Sequence, residues 1–470
     1  MANGLNPNFM WGGAVSNVQA EGSTTAGGKG ENVYDALVVV PEEGQTSEGD
    51  VDVASNHYRQ WREDIALMKE MDFKAYRFSI VWSRIHPTGE EGEPNAEGLA
   101  YYDAMVDELL AAGIEPVASL VHFDMPQHLA EAYNGFMSPK TIECYVRHVE
   151  QVAEHFKGKI TWWITYNELN TAPFDNMSGL VAGARRPEGM SKAQFFHDIV
   201  YNTVLASSKA ANAIKRIIPD AHVSGMMTLN EVHAERNDSN DRLAARLIDE
   251  FNFGLYADLL GKGEYPAFYR KWLELNGIDY GNDDLDEIAV AANAADYLPV
   301  SLYQTRTVRF DREIESVEDM NEVLFDTPTH SNPNLPASAW GWTVDPVGFR
   351  QELGELYRRC GEKPLFVVEN GIGLPEGETE AETLADDERI AYHRAYIKSM
   401  IEAVELDGTD IIGYLMWSPI DILSSHKEMR KRYGLIYIAP MENGAMRRVP
   451  KKSFSWYRGV IASNGGSLDE

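Results

Sequence analysis

Eight short apolar segments recur along the chain, at 9–16, 75–82, 115–124, 160–168, 222–230, 297–304, 364–370 and 411–418. They are rich in Val, Ile, Phe, Tyr and Trp. They are apolar in continuous runs, as parallel strands covered on both faces should be. Segments with helical periodicity lie between them, at 55–71, 97–113, 139–156, 192–217, 240–260, 346–360 and 386–406, and a last one at 451–463 closes the chain. The second ends on Gly113, a C-cap residue. Strands alternating with helices in this number predict an α/β fold, a (β/α)8 TIM barrel, spanning residues 1–470 as a single domain. A doubly wound open sheet is the alternative, but no Gly-x-Gly-x-x-Gly follows the first strand. The least regular stretches are 25–52, 172–190, 276–294, 310–340 and 420–450. In a barrel they become long loops, and loops that follow strands form the active face.

Hydrophobic content of 44% and charged content of 24% are those of a soluble globular protein. There is no apolar run of membrane-spanning length. The start, Met-Ala-Asn-Gly-Leu-Asn-Pro-Asn, lacks the basic and apolar stretches of a signal peptide. The two cysteines, Cys144 and Cys360, fall on different predicted helices, so a reducing cytoplasm is the expected setting. A net charge of −31 argues against nucleic acid and anionic membranes as partners. It would also repel an anionic small molecule at long range. Composition leaves a homo-oligomer open.

Two of the strands end in glutamate. Leu365 to Val368 is an apolar run that delivers Glu369 to the turn Asn-Gly-Ile-Gly. Ile-Thr-Trp-Trp-Ile-Thr-Tyr-Asn-Glu (160–168) delivers Glu168 in the same way. A carboxylate at the end of a buried strand is costly unless something uses it. In the barrel mapping Glu168 ends the fourth strand and Glu369 the seventh, on opposite sides of one mouth. Two facing carboxylates there are the equipment of glycosidic bond cleavage. A separation of about 5–5.5 Å would imply retention through a covalent intermediate. The structural alternative is that each glutamate neutralises an arginine of a neighbouring strand.

Thr-Tyr-Asn-Glu (165–168) resembles the acid/base motif of family 1 glycoside hydrolases, and Val-Glu-Asn-Gly (368–371) resembles that family's nucleophile motif. Further segments resemble the family's first three strands: 9–22, Tyr-Arg-Phe-Ser-Ile-Val-Trp-Ser-Arg-Ile (76–85) and Val-His-Phe-Asp-Met-Pro (121–126). The resemblance runs from about residue 8 to about residue 463. It implies Glu369 as nucleophile, kept ionised by Arg77, which would hold its pKa down, and oriented by Tyr303. It implies Glu168 as the acid that protonates the departing oxygen and then the base that activates water, so its pKa must be raised while Glu369 is negative. Asn167 would bind the sugar 2-hydroxyl, Gln19 and His122 hydroxyls on the far side of the ring, and Trp417 the C–H face. No cofactor and no metal is implied, since retaining hydrolysis needs none.

The end of strand eight bears on the sugar. Members of the family acting on plain glucosides commonly carry Phe-Glu-Trp there, whose glutamate takes the 4- and 6-hydroxyls. This chain has Leu423-Ser424-Ser425-His426, then Lys431 and Tyr433. That is similar to the phosphate loop of 6-phospho-β-glycosidases, where Ser, Lys and Tyr grip the 6-phosphate. A dianion needs a cation and donors and is repelled by a carboxylate. Ser424 and Ser425 are both candidates by spacing, and counting back from Lys431 favours Ser425. The alternative is a solvated basic loop, since Lys427, Arg430, Lys431 and Arg432 form a charge run. Such a local positive mouth would offset the acidic surface.

The segments 340–350 and 451–457 are also similar to phospho-glucosidases. Three positions depart from the wider family: Ser301 for Asn, Tyr166 for Phe, and Phe136 for Trp. The expectation is that none touches the chemistry, and that Phe136 bears on the entrance wall and the aglycone. The resemblance therefore implies a cytoplasmic 6-phospho-β-glucosidase with a small phosphorylated β-glycoside as partner, such as phosphotransferase import delivers. A 6-phospho-β-galactosidase, an unphosphorylated β-glucosidase and a catalytically silent sugar-binding protein are the alternatives. No Trp stands beside the loop serines, which disfavours the galacto reading.

Overall fold

A computed structural model describes residues 4–37 and 49–469. Eight parallel strands form its centre: β1 (Met10–Ala14), β2 (Ala75–Ser79), β3 (Glu115–Ser119), β4 (Trp162–Ile164), β5 in two pieces (His222–Ser224 and Met227–Leu229), β6 (Leu298–Leu302), β7 (Leu365–Asn370) and β8 (Ile411–Trp417). Each pairs with its sequence neighbours, and β1 pairs with β8 as well as β2. The first piece of β5 pairs with β4 and the second with β6, so the sheet closes on itself. The break falls at Gly225, which packs so tightly that an added Cβ would lie 2.6 Å from Ser207 Oγ.

Every residue of β2, β6 and β7 is buried, which explains their unbroken apolar pattern. The polar residues on these strands are Arg77, at the middle of β2, and Ser79, Ser301, Glu369 and Asn370, which lie toward the C-terminal ends, at one mouth of the barrel. One apolar core includes residues of all eight strands and packs against the helices outside them. A smaller cluster around Val232, Ile248, Val308 and Phe310 sits under the loops after β5 and β6.

The helices begin and end close to where the residue pattern puts them. Ala96–Ala112 starts on Asn95, whose side chain accepts from the Glu97 N–H at 3.2 Å, and stops on Gly113 at φ 75°. Pro139–Phe156 starts with Ser138 as N-cap and proline at its first position. Three expected loops hold more structure than their composition suggests. The stretch 276–294 contains the helix Leu285–Ala294, and 310–340 contains Val317–Phe325, opened by a Ser316–Asp319 capping box. In 420–450, Lys431–Arg432 pairs antiparallel with Leu374–Pro375, and Ile436–Ile438 with Arg448–Pro450. Part of the expected loop 25–52 lies outside the described residues. No helix among the described residues is long and apolar enough to cross a membrane.

Candidate active site

Glu369 sits near the end of β7, beside a register shift against β6 that places it opposite Ser301. Such an irregularity re-aims the side chains next to it. Its carboxylate accepts from the Arg77 guanidinium through Oε1 and from Tyr303 Oη at 2.7 Å through Oε2. Arg77 is fully buried and serves three strands. It also donates through Nε to Ser119 Oγ at 2.8 Å and through Nη2 to Asn167 Oδ1 at 2.7 Å. One guanidinium thus ties β2 to β3, β4 and β7 at the mouth. His122 Nε2 lies 3.9 Å from Glu369 Oε1, and burial, with Arg77 nearby, holds this imidazole neutral. Two residues past the glutamate, Gly371 lets β7 approach β8, since a Cβ there would meet the Trp417 carbonyl at 1.9 Å.

The expectation that Arg77 depresses the Glu369 pKa holds for the sign of its pull but not for the net result. Burial outweighs Arg77 and Tyr303, and the carboxyl stands above its ordinary value. Glu168 is pushed further, to about 7, by burial and then by the negative charge of Glu369. Ser301, Arg77 and Thr228 oppose that rise. The two acids therefore differ in partners. Glu369 has a cation and a phenol in contact, while Glu168 is paired to a hydroxyl, so the proton of the pair resides on Glu168.

Glu168 follows β4 in left-handed backbone, with φ 46°. The Ser301 hydroxyl donates to its Oε1 at 2.7 Å. The expectation that Ser301 stays clear of the chemistry is thus corrected: from β6 it reaches across to the end of β4. Next to Glu168, Asn167 has its Oδ1 fixed by Arg77, while its buried Nδ2 has no partner among the described residues. That leaves a buried donor open beside two carboxylates.

These groups line one cavity of about 620 Å³, a volume that suits a disaccharide-sized molecule. Gln19, His122, Asn167, Glu168, Tyr303, Glu369, Trp417, Ser425 and Tyr433 all face it. Gln19 Nε2 donates to the Leu423 carbonyl at 2.7 Å, and the Leu423 N–H donates to the Gln19 carbonyl at 3.1 Å. That exchange pins the loop after β8 to the segment after β1 and leaves Gln19 Oε1 as an acceptor. Trp417 presents its ring 5.8 Å from that of His122.

The two loop serines have different surroundings. Ser424 is buried, and its Oγ accepts from the N–H groups of His426 at 3.2 Å and Glu428 at 3.1 Å, bracing the turn. Ser425 lines the cavity, with its hydroxyl 3.3 Å from His426 Nδ1. Apart from the exposed Arg430, the charge run is not a solvated face. Lys427 donates to the carbonyls of Asp35 at 3.1 Å and Leu37 at 2.8 Å, and Arg432 pairs with Glu376. Lys431 is only 4% exposed, and its ammonium lies 3.7 Å from the ring centre of Trp342, with Trp340 at 5.4 Å and Tyr433 at 5.5 Å. Burial lowers its pKa to about 7, against a smaller upward pull from Glu428.

Sequence reasoning missed three contributors. Trp342 carries the lysine on its face, lines the cavity, and packs on Tyr303 at 5.7 Å between ring centres. The Trp-Gly-Trp segment (340–342) was the available signal. Thr228, on the second piece of β5, faces the cavity, and its hydroxyl pulls the Glu168 pKa down. The third is Ser301. Phe136 is corrected in the other direction: it is fully buried against Trp82, Tyr145 and Tyr166 and does not line the entrance. Asn176, Met177, Leu180 and Arg185 do line the cavity. Tyr166 braces that loop, its hydroxyl donating to the Val181 carbonyl at 2.7 Å.

The model of the glycosyl hydrolase family 1 matches residues 1–466. The chain is 38% identical to the aryl-phospho-beta-D-glucosidase BglH of Bacillus subtilis, with 98% of each chain covered. It is 36% identical to the phospho-cellobiase of Klebsiella oxytoca, again over 98% of each. Among solved structures, the family 1 β-glucosidase of Thermotoga maritima superposes with a TM-score of 0.85 at 25% identity, covering 98% of both chains.

Proposed function

The chain belongs to glycosyl hydrolase family 1, and from that premise we propose how its cavity acts and on what. The reaction is retaining hydrolysis of 6-phospho-β-D-glucosides, giving glucose 6-phosphate and an aglycone. In the first step Glu369 attacks the anomeric carbon. The bond from that carbon to the aglycone oxygen breaks, and Glu168 gives that oxygen its proton. In the second step water attacks the same carbon, its proton passes to Glu168, and the ester bond to Glu369 breaks. The pKa of about 7 on Glu168 supports the acid role near neutral pH. Once Glu369 is esterified its charge is gone, the largest Coulombic contribution to that pKa disappears, and Glu168 is free to act as base.

The single observation that carries the substrate class is Lys431. A lysine buried among three aromatic rings, with no carboxylate in salt-bridge contact among the described residues, stands at the loop where plain glucosidases carry a glutamate. Lys431 does not itself line the cavity but lies against Trp342 and Tyr433, which do; with those two and the Ser425 hydroxyl at the wall, it offers the cation and donors that a 6-phosphate needs. Ser424 supports this loop from behind rather than touching the ligand. Asn167 Nδ2 takes the 2-hydroxyl, Gln19 and His122 take the far hydroxyls, and Trp417 takes the C–H face.

One apolar core running through the barrel supports reading 1–470 as a single catalytic domain. A sugar phosphate does not cross a bilayer unaided, and Cys144 and Cys360 are buried and unpaired. Both points support a cytoplasmic setting. The roles are tested with Glu369→Gln and Glu168→Ala. Glu369→Gln is expected to lose turnover on every β-glycoside. Glu168→Ala is expected to lose it except where azide replaces water as the nucleophile. A Glu369→Gln enzyme with unchanged turnover would sink the mechanism.

A further inference from the structure

We propose that Ser301 is a positioning residue for the acid/base glutamate, holding Oε1 of Glu168 so that the working proton is carried on Oε2. This rests on the reading of Glu168 as the acid/base. Glu168 sits in left-handed backbone just past β4, so no regular strand geometry aims its side chain. The contact that fixes it comes from Ser301, fully buried on β6, whose hydroxyl donates to Oε1 at 2.7 Å. Ser301 does not line the cavity, whereas Glu168 does. The serine therefore occupies the carboxyl oxygen turned into the protein. An oxygen already accepting an O–H is the poorer site for a proton, which leaves Oε2 as the oxygen that carries it to the leaving group.

The same hydrogen bond has a part in both half-reactions. In the first, the proton leaves Oε2 for the departing oxygen as the glycosidic bond breaks, and the O–H from Ser301 stabilises the carboxylate that forms. In the second, that carboxylate takes a proton from water at the same oxygen as the new carbon–oxygen bond forms and the Glu369 ester breaks. The other groups facing Glu168 are Glu369 on β7, which raises its pKa, Arg77 on β2, which lowers it, the Thr228 hydroxyl on β5, and Tyr303 just past β6. Substituting Ser301 leaves all four in place.

The test is the pH profile of kcat/KM on 4-nitrophenyl β-D-glucoside for wild type, S301A and S301T. Loss of the donor in S301A makes Glu168 a weaker acid. The alkaline limb moves up by roughly half to one pH unit, and the plateau falls roughly five- to tenfold. S301T keeps the hydroxyl and the wild-type limb. Should S301A fail to fold, S301C preserves the shape with a weak donor and shows the same upward shift. A dinitrophenyl leaving group, which departs without a proton, shows a smaller loss in the first step. An unmoved limb in a folded S301A or S301C enzyme overturns the proposal. Full activity of Glu168→Ala would instead overturn the acid/base assignment on which it rests, so the two failures are distinct.

Discussion

Replacing Lys431 by methionine should make the enzyme more stable and less specific at once. Methionine has similar length and keeps the face of Trp342 covered, but it removes the ammonium that lies 3.7 Å from that ring centre. In the wild-type fold burial lowers the lysine from 10.5 to about 7. The sign follows from proton binding. The unfolded chain keeps this proton up to about pH 10.5, while the folded one releases it near 7. Between those values the unfolded state binds more protons, so the penalty is full below about pH 7 and fades as pH rises. At about 1.4 kcal/mol per pH unit this penalty is on the order of 4 kcal/mol at neutral pH, and Lys431→Met escapes it. The variant should melt several degrees higher at pH 7, and the gap should close toward pH 10. The lost charge-assisted bond to the phosphate, at about 1.5–3 kcal/mol, corresponds to a fall in kcat/KM of roughly 10- to 150-fold on 4-nitrophenyl β-D-glucoside 6-phosphate. The unphosphorylated glucoside should be cleaved as before. Calorimetry at the two pH values and steady-state kinetics on the two substrates measure all of this. Equal losses on both substrates, or no loss on the phosphorylated one, would refute the reasoning.

Other outcomes follow from the same geometry. On the unphosphorylated substrate, where the phosphate and Lys431 drop out of the titration, kcat/KM should fall above about pH 7 as Glu168 loses its proton. A profile flat to pH 9 would contradict this. Tyr303→Phe removes the phenol that donates to Glu369 Oε2 at 2.7 Å. It should lower kcat/KM roughly tenfold on phosphorylated and plain substrates alike, since the phenol touches the nucleophile and not the phosphate. Phe136→Ala should cost about 3–5 kcal/mol in urea unfolding, because the ring is core. It should leave the ranking of aglycones unchanged, because the ring is not at the entrance.

The barrel was legible because its strands are buried on both faces, which leaves continuous apolar runs, and because Gly113 and Ser138–Pro139 mark helix ends in the residue pattern. The helix Leu285–Ala294 was hidden for the opposite reason. It follows an Asp-rich turn and buries only Ile288 and Ala292, too narrow a stripe to stand out. Glu168 and Glu369 were visible as carboxylates at strand ends, whereas the partner of Glu168 was not. Ser301 lies more than a hundred residues away on β6, and a small hydroxyl within a strand carries no local signal. Phe136 was misplaced because an aromatic residue in a loop reads the same whether it faces a ligand or the core. The net direction at Glu369 was also out of reach. It depends on how completely the cavity excludes water, and not on Arg77 alone. The choice between Ser424 and Ser425 turned on which hydroxyl the turn itself consumes, which only geometry shows.

The central claim is that this cavity is built for a β-glucoside carrying a 6-phosphate. It is tested most directly by kcat/KM on 4-nitrophenyl β-D-glucoside, its 6-phosphate, and the galacto 6-phosphate. The gluco 6-phosphate should be cleaved at least a hundredfold better than the plain glucoside, in keeping with about 3 kcal/mol from the charged contacts, and better than the galacto epimer. Equal or faster cleavage of the unphosphorylated glucoside would contradict the claim.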